Sequence, residues 1–515
     1  MPRRPHIHLD GIPLRICSVG HNREPCVNVE NKSSLAPLIP QGRISQVATQ
    51  PRSGTPVTVL AGNFAYGYPF AGPQSFQYGN GLSFNQSRDQ DYRPATAVDG
   101  PYQKTYSHDP AGNVASLTDI GNALLSFTYD STGRLTGATD TAAGSFGILG
   151  WTYDQNGNRQ SETRNAGTLP YVYSPPGSNW LYQKGTDTRP RTASGNTASS
   201  TAIGSFTYDG FNRLATSQTA SETTTYTYNA LGERMKKINQ NGLSTVFHYG
   251  PDGELLYEQD ANGNTKVYVW LEGRPLARID NDAQIYYYHV DHLGTPQAMT
   301  NSTGTTVWKA DYEPFGKATV RVNTIENNLR LPGQYYDRET GLHYNYFRDY
   351  DSDGGRYIQA DPIGIAGGLN IYEYGRSNPL TYIDPLGLYG LPWEAPPNFN
   401  PLAPKSGPTA PRGSLGASAT IGSTTVSRST NSDGVVWGQT TQISVGASVD
   451  ICFNTPPPQA CSAIPSVPRA PDFYSYGVGK NLGLTVNSDS SFCINVGPSF
   501  GLPGGIGWNL TPRGK

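Results

Sequence analysis

Apolar and polar residues alternate in short runs along most of the chain, and turn-forming residues separate the runs. In the run at 126–129 (SFTY) every second side chain is aromatic, as in a strand with one buried face. Asp130 follows the run and Gly133 comes three residues later. Because Asp and Gly tolerate the positive φ of a tight turn, the pattern predicts a β-hairpin whose return strand begins at Leu135.

The same unit recurs with a nearly constant period. Its tyrosines lie 23 and 24 residues apart in one group and 20 and 21 apart in another, at Tyr106, Tyr129, Tyr153, Tyr208, Tyr228 and Tyr249. A single hairpin is marginally stable in water, so neighbouring units must pair to bury their aromatic faces. Unrelated hairpins in a β-sandwich are the alternative, which the recurrence disfavours. The sequence therefore predicts an all-β fold in which a long strip of hairpins curls because sheets twist.

Composition supports a β-rich protein and narrows its function. The 515 residues include 59 Gly and 33 Tyr, only 15% are charged, and the net charge is -2. This balance gives no global attraction to nucleic acid. We find no apolar run long enough for a spanning helix and no apolar segment of a signal peptide after the initial Met.

The segment at 333–388, called the junction segment below, separates the repeats from a Pro-, Ser- and Gly-rich tail. It contains two Asp-Pro steps, at Asp361 and Asp384, which lie 23 residues apart, and Arg348 lies 13 residues before the first. Two carboxyl groups brought together share a proton, so the pair can supply an acid and a base at once. Peptide hydrolysis requires both groups. Residue types alone favour the alternative that each Asp-Pro step simply begins a turn.

The repeats and the junction segment together resemble the YD repeats and repeat-associated core of the Rhs family, which teneurins and the C subunits of insecticidal Tc toxins share. The likeness runs from about Tyr106 to Leu388 and includes the motifs at 289–296 (HVDHLGTP) and 311–316 (DYEPFG). The resemblance implies a hollow β-shell that holds a variable C-terminal polypeptide. The repeats are few for a closed shell, so we expect an open, partial one.

The resemblance also implies a reaction. In the family, an aspartate pair matching Asp361 and Asp384, with an arginine matching Arg348, cleaves its own chain once after the motif DPxGL. That motif stands here at 384–388, so the implied scissile bond joins Leu388 to Tyr389. The expected function is a polymorphic toxin fragment that releases its tail. The alternative is a structural or adhesive teneurin-like protein that never cleaves.

These features predict five regions. They are a poorly ordered lead-in at 1–50, the YD shell at 51–332, the junction segment at 333–388, a Pro-rich linker at 389–413 and a β-rich effector module at 414–515. After residue 388 there are seven Lys or Arg, five Asp or Glu and no His. This set lacks both the usual residues of acid–base hydrolysis and a basic stripe, so we expect a non-enzymatic tail that acts on membranes or only binds.

No cofactor or metal is expected. The five cysteines have no CxxC spacing, and Asp349, Asp351 and Asp353 lack the trailing Glu of a calcium loop. Three cysteines lie in the tail and could include one disulfide in an oxidising compartment. The expected partners are the tail itself as cargo, an immunity protein and a component of a specialised secretion system that delivers the protein to the surface or outside the cell.

Overall fold

The structure is a computed structural model that describes residues 43–50, 56–67, 72–119, 124–142 and 144–392, and several separate strands outside these ranges. The chain divides into two compact units, Met1–Phe399 and Asn400–Lys515. The predicted all-β fold is confirmed, with large antiparallel sheets that do not close into a barrel among the described strands. No helix in these ranges is long and apolar enough to cross a membrane.

Two long antiparallel sheets build the first unit, and consecutive strands are neighbours throughout both. The first sheet has fourteen strands: Val47–Thr49, Thr58–Ala65, Ser75–Tyr78, Ser83–Arg88, Pro94–Asp99, Tyr102–His108, Val114–Asp119, Leu124–Tyr129, Leu135–Asp140, Ile148–Tyr153, Arg159–Arg164, Gly167–Tyr173, Leu181–Lys184 and Asp187–Thr188. The second sheet has thirteen: Ser199–Ser200, Gly204–Tyr208, Leu214–Gln218, Thr223–Tyr228, Arg234–Asn239, Ser244–Tyr249, Leu255–Gln259, Thr265–Leu271, Arg274–Asp280, Gln284–Val290, Pro296–Thr300, Thr306–Tyr312 and Ala318–Asn323.

The repeated Tyr-Asp step links each hairpin to the next. In one unit, Asp130 Oδ1 accepts the backbone N–H of Arg134 at 3.1 Å and Asp130 Oδ2 accepts its Nε–H at 2.7 Å. The Arg134 guanidinium lies 4.9 Å from the ring centre of Tyr153 in the following unit. The Tyr153 hydroxyl in turn donates to Leu135 O at 2.7 Å. This turn therefore holds the tyrosine of the unit that follows it.

Short strands of the junction segment pack against both long sheets. They form a four-stranded sheet of Tyr335–Tyr336, His343–Asn345, Arg348–Asp351 and Arg356–Tyr357, and two 3-10 turns follow at Gly364–Ala366 and Gly375–Ser377. A buried ion pair joins Asp351 to Arg189 of the first sheet's end at 2.7 Å. Another joins Asp337 to Arg234 of the second sheet, with Nη2 donating to Oδ1 at 3.0 Å. These contacts fix the junction segment to the repeats.

Outside the main ranges the structure gives backbone strands only. Two lie near the start, Arg15–Ile16 and Val27–Asn28. The second unit has one sheet of Gly416–Ile421, Thr424–Asn431 and Gly434–Trp437, and another of Ile451–Phe453, Phe492–Ser499 and Lys480–Val486. In this second sheet the register sets Cys452 opposite Cys493. Most of the predicted lead-in, the linker beyond residue 392 and the tail's side chains lie outside the described residues, so the five region boundaries stay predictions.

Candidate functional site

The bond between Leu388 and Tyr389 lies in a short loop that a pair of two-residue strands closes. Tyr382–Ile383 pairs with Leu391–Pro392, with Tyr382 opposite Pro392 and Ile383 opposite Leu391. Gly387 in this loop has a φ of 68°, which favours glycine. A Cβ built there would lie 2.5 Å from Asn345 O, so the loop can press against the four-stranded sheet only because this residue has no side chain.

Arg348 joins the two predicted acids. It extends from the strand Arg348–Asp351 and is 2% exposed. Its Nη2 lies 3.0 Å from Asp361 Oδ2 and 3.3 Å from Asp384 Oδ2. Its Nε–H donates to Gly387 O, and its Nη1 donates to Ile371 O at 3.0 Å. One guanidinium therefore holds both carboxyl groups and the loop backbone together.

Asp384 contacts the amides on both sides of Leu388. Its Oδ1 accepts the N–H of Leu388 at 2.8 Å and that of Tyr389 at 3.1 Å. The second of these is the nitrogen of the predicted scissile bond. Since Asp384 is 2% exposed and Leu388 is 1% exposed, this contact is shielded from bulk water.

Asp361 lies near the carbonyl oxygen of the same peptide bond. Its Oδ1 accepts the N–H of Ile363 at 2.9 Å, which leaves Oδ2 directed toward Arg348 and the loop. A Cβ built on Gly367 would lie 2.5 Å from Asp361 Oδ2 and 2.3 Å from Leu388 O. The Asp361 carboxyl and the Leu388 carbonyl oxygen therefore approach each other beside Gly367. The structure brings together all five residues that the sequence singled out.

The two carboxyl groups differ in their polar surroundings. Burial raises the pKa of Asp361 to about 6, and Asp384 adds to the rise while Arg348 and the Ile363 amide oppose it. Burial also raises the pKa of Asp384, against Arg348, the Tyr357 hydroxyl and the two loop amides, which all favour its ionised form. Asp384 thus has more donors that favour its ionised form, and Asp361 has fewer.

Two further residues complete the site, and sequence analysis did not find them. Tyr357 donates its hydroxyl to Asp384 Oδ2 at 2.8 Å, and its ring centre lies 3.7 Å from the Arg348 guanidinium. Asn345 donates to the Tyr357 hydroxyl at 2.7 Å and to Asp384 O at 2.8 Å. Both sit among many similar Tyr and Asn residues, so no spacing signal separates them; only the pairing of the short strands brings them to Asp384.

Two family models and several known proteins are similar to this chain. The family models described as RHS protein and RHS Repeat match residues 285–322 and 108–145. The chain is 29% identical to the double-stranded DNA deaminase toxin A of Burkholderia cenocepacia over 340 residues, covering 56% of this chain and 23% of that protein. It is 26% identical to the toxin protein Tse5 of Pseudomonas aeruginosa over 362 residues, covering 56% and 27%. The chain thus spans about a quarter of the length of these relatives.

A solved structure has the same fold. The Photorhabdus luminescens Tc holotoxin pore matches with a TM-score of 0.60 at 20% identity, over 70% of this chain and 20% of that one. The fold and the junction segment define a YD-repeat protein with large antiparallel sheets. The family-model matches and the related toxins show that the chain contains RHS repeats and is similar to Rhs-type toxins.

Replacing Tyr357 with Phe should raise the pKa of Asp384, because the lost hydroxyl stabilises the ionised carboxylate. The measurement is a carboxyl 13C titration in an Asp361→Asn chain, with the Asp384 signal assigned by its loss in Asp384→Asn. Tyr350→Phe is the matched control, since the Tyr350 hydroxyl donates to Phe315 O at 2.8 Å instead. An unchanged Asp384 titration in Tyr357→Phe would show that the hydroxyl does not affect this carboxyl group.

Proposed function

We propose that this chain is part of an Rhs-type toxin whose junction segment cuts its own backbone between Leu388 and Tyr389 and so separates the repeats from the C-terminal effector. The single observation that carries the proposal is the position of that peptide bond. Its nitrogen donates to Asp384 at 3.1 Å, and its carbonyl oxygen and the Asp361 carboxyl both lie next to Gly367. The toxin names of the relatives support the wider assignment.

The proposed reaction is a hydrolysis with one water molecule as the second reactant. Protonated Asp361 donates a hydrogen bond, then its proton, to Leu388 O, while Asp384 takes a proton from the water whose oxygen bonds to the Leu388 carbonyl carbon. The C–N bond then breaks as Asp384 passes that proton to the Tyr389 nitrogen. Asp361 recovers its own proton when the carbonyl re-forms. The products are a carboxyl group on Leu388 and an amino group on Tyr389.

Arg348 has an orienting role in this proposal. Its guanidinium contacts both carboxyl groups and holds Gly387 O through Nε. A charge-assisted contact of this kind fixes direction as well as charge. One cation cannot fully compensate two buried carboxylates, so one acid keeps its proton and the pair remains in the state that the reaction needs.

Asp361→Asn and Asp384→Asn should each slow cleavage by about 10²–10⁴-fold, because each removes one proton-transfer group while keeping the side-chain shape. N-terminal sequencing of the fragment and a denaturing gel with antibody to the tail measure the effect. The fragment should begin at Tyr389. Asp353→Asn is the control, since this carboxylate of the junction segment pairs with Lys317 at 2.6 Å and not with Arg348. Persistent cleavage in both test variants would reject the aspartyl mechanism.

The rate of cleavage should fall as pH rises above about 6. Asp361 has a pKa raised to about 6, and the proposed acid works only when protonated. From pH 6 to pH 8 its protonated fraction drops about 50-fold. The chain can be unfolded in urea, diluted into buffers of different pH and sampled on denaturing gels, with tryptophan fluorescence as the control for refolding. A rate that stays constant or rises across this range contradicts the role of Asp361.

The alternative function is a teneurin-like structural or adhesive protein that stays intact. The polar contacts of the scissile bond favour the toxin, because a purely adhesive protein has no need of a buried acid pair at this loop.

We also propose that an immunity protein protects the producing cell and that a secretion machine delivers the protein. The tail is the cargo in this scheme.

For the tail we propose action on membranes, based on its lack of His and its nearly balanced charge. The full chain should then release dye from vesicles of phosphatidylglycerol and phosphatidylethanolamine, and Asp361→Asn with Asp384→Asn should release much less because the tail stays attached. If the unchanged chain and the double variant both release dye only at the background level, membrane action is rejected. The remaining hypothesis is then a tail that only binds a partner. The deaminase name of one relative describes that protein.

A further inference from the structure

The turn at Gly364–Ala366 and the residue after it lie directly against the proposed scissile bond. Gly367 ends this turn. A Cβ built on Gly367 would lie 2.3 Å from Leu388 O, 2.5 Å from Asp361 Oδ2 and 3.1 Å from Asp361 Cγ. These distances are far below an ordinary van der Waals contact. Any side chain at this position would therefore push the Leu388 carbonyl and the Asp361 carboxyl out of place.

The backbone of Gly367 does not itself require glycine. Its φ of -81° and ψ of -19° lie in the right-handed helical region, which every L-residue adopts easily. Its neighbours Gly364 and Gly368 are different, with φ values of 60° and 150° and open space around them. At Gly367 the close approach of two oxygens, and not the torsion angles, is what excludes a side chain.

The carbonyl oxygen of Leu388 is unsatisfied as a hydrogen-bond acceptor among the described residues. Within residues 144–392 and the other described ranges, no N–H or O–H group donates to Leu388 O, although Leu388 is 1% exposed. A buried carbonyl without a partner is costly. A protonated Asp361 carboxyl is the group beside it that can donate.

We propose that Gly367 is a positioning residue for the self-cleavage: its missing side chain lets the Asp361 carboxyl donate to the carbonyl oxygen of Leu388. This inference rests on the proposed function. Gly367 takes no part in the chemistry. It sets the distance between the acid and the oxygen that the acid protonates, and it does so from the turn that follows Asp361.

Gly367→Ala should lower the rate of cleavage by about 100-fold, the effect expected when reacting groups move apart by about 1 Å. The main control is Ala366→Ser, which changes the exposed neighbouring residue. A second control is Gly210→Ala, where a Cβ meets nothing within 4 Å. Both controls should cleave like the unchanged chain. Cleavage of Gly367→Ala within about threefold of the unchanged chain would overturn the inference.

A second measurement tests the contact without disturbing Gly367. Leucine labelled with 13C at the carbonyl and tyrosine labelled with 15N give a coupled signal only where Leu precedes Tyr, which occurs at Leu181–Tyr182, Leu256–Tyr257 and Leu388–Tyr389. In the uncleaved Asp384→Asn chain, the Leu388 carbonyl shift should follow the titration of Asp361 between about pH 4 and 8. The other two pairs are internal controls and should stay constant.

The same labelled samples separate a positioning role from a general structural one. In the Asp384→Asn background, Gly367→Ala should remove the pH-dependent change at Leu388, while Ala366→Ser should keep it. A Leu388 signal that does not titrate when Gly367 is present overturns the inference, even if Gly367→Ala fails to fold.

Failure of the inference differs from failure of the proposed function. If Asp361→Asn and Asp384→Asn stop cleavage but Gly367→Ala cleaves normally, only the role of Gly367 is wrong. If both Asn variants still cleave, or if the unchanged folded chain keeps its Leu388–Tyr389 signal, the proposed self-cleavage is wrong.

Discussion

The contact on which this site depends is that of one buried guanidinium with two buried carboxyl groups. Removing charges from water costs several kcal/mol for each unpaired ion. Arg348 lies 3.0 Å from an oxygen of Asp361 and 3.3 Å from an oxygen of Asp384. Its single positive charge can compensate one buried carboxylate but not two. The simplest way to satisfy this cluster is to keep one proton on the pair. Burial thus keeps one carboxyl group protonated beside an ionised one, and the proposed reaction uses this pair as its acid and base.

The repeats supply the rigidity that this cluster needs. In two Tyr-Asp turns the aspartate holds an arginine that lies against the tyrosine of the next unit. These are Asp130 with Arg134 and Tyr153, and Asp209 with Arg213 and Tyr228. The junction segment adds its contacts to this frame; Asn378, for example, donates to Asn113 and to Gly133 O. A loop closed by a two-residue strand pair has little stability of its own. The junction segment packs against both long sheets, and this frame holds the loop beside the two acids.

Local sequence rules were enough for the strands and turns of the repeats. Alternation identifies strands such as Leu124–Tyr129, and Asp130 with Gly133 identifies the turn, because both signals come from neighbouring residues. The pairing of Asp361 with Asp384 required the family resemblance, since residue types alone favoured two turns. The sequence alone could not identify Tyr357 and Gly367 as site residues, because their roles depend on contacts between segments that are distant in the chain. The predicted role of the tail stays a prediction, because its side chains lie outside the described residues.

The short pairing of Tyr382–Ile383 with Leu391–Pro392 spans the Leu388–Tyr389 bond. When that bond breaks, the chain becomes two polypeptides, but the two new ends at first stay where they were. The two ends stay hydrogen-bonded neighbours until this small ladder opens. After the proposed cut, a denaturing gel would count two polypeptides, and departure of the tail would need this ladder to open as well as the bond to break.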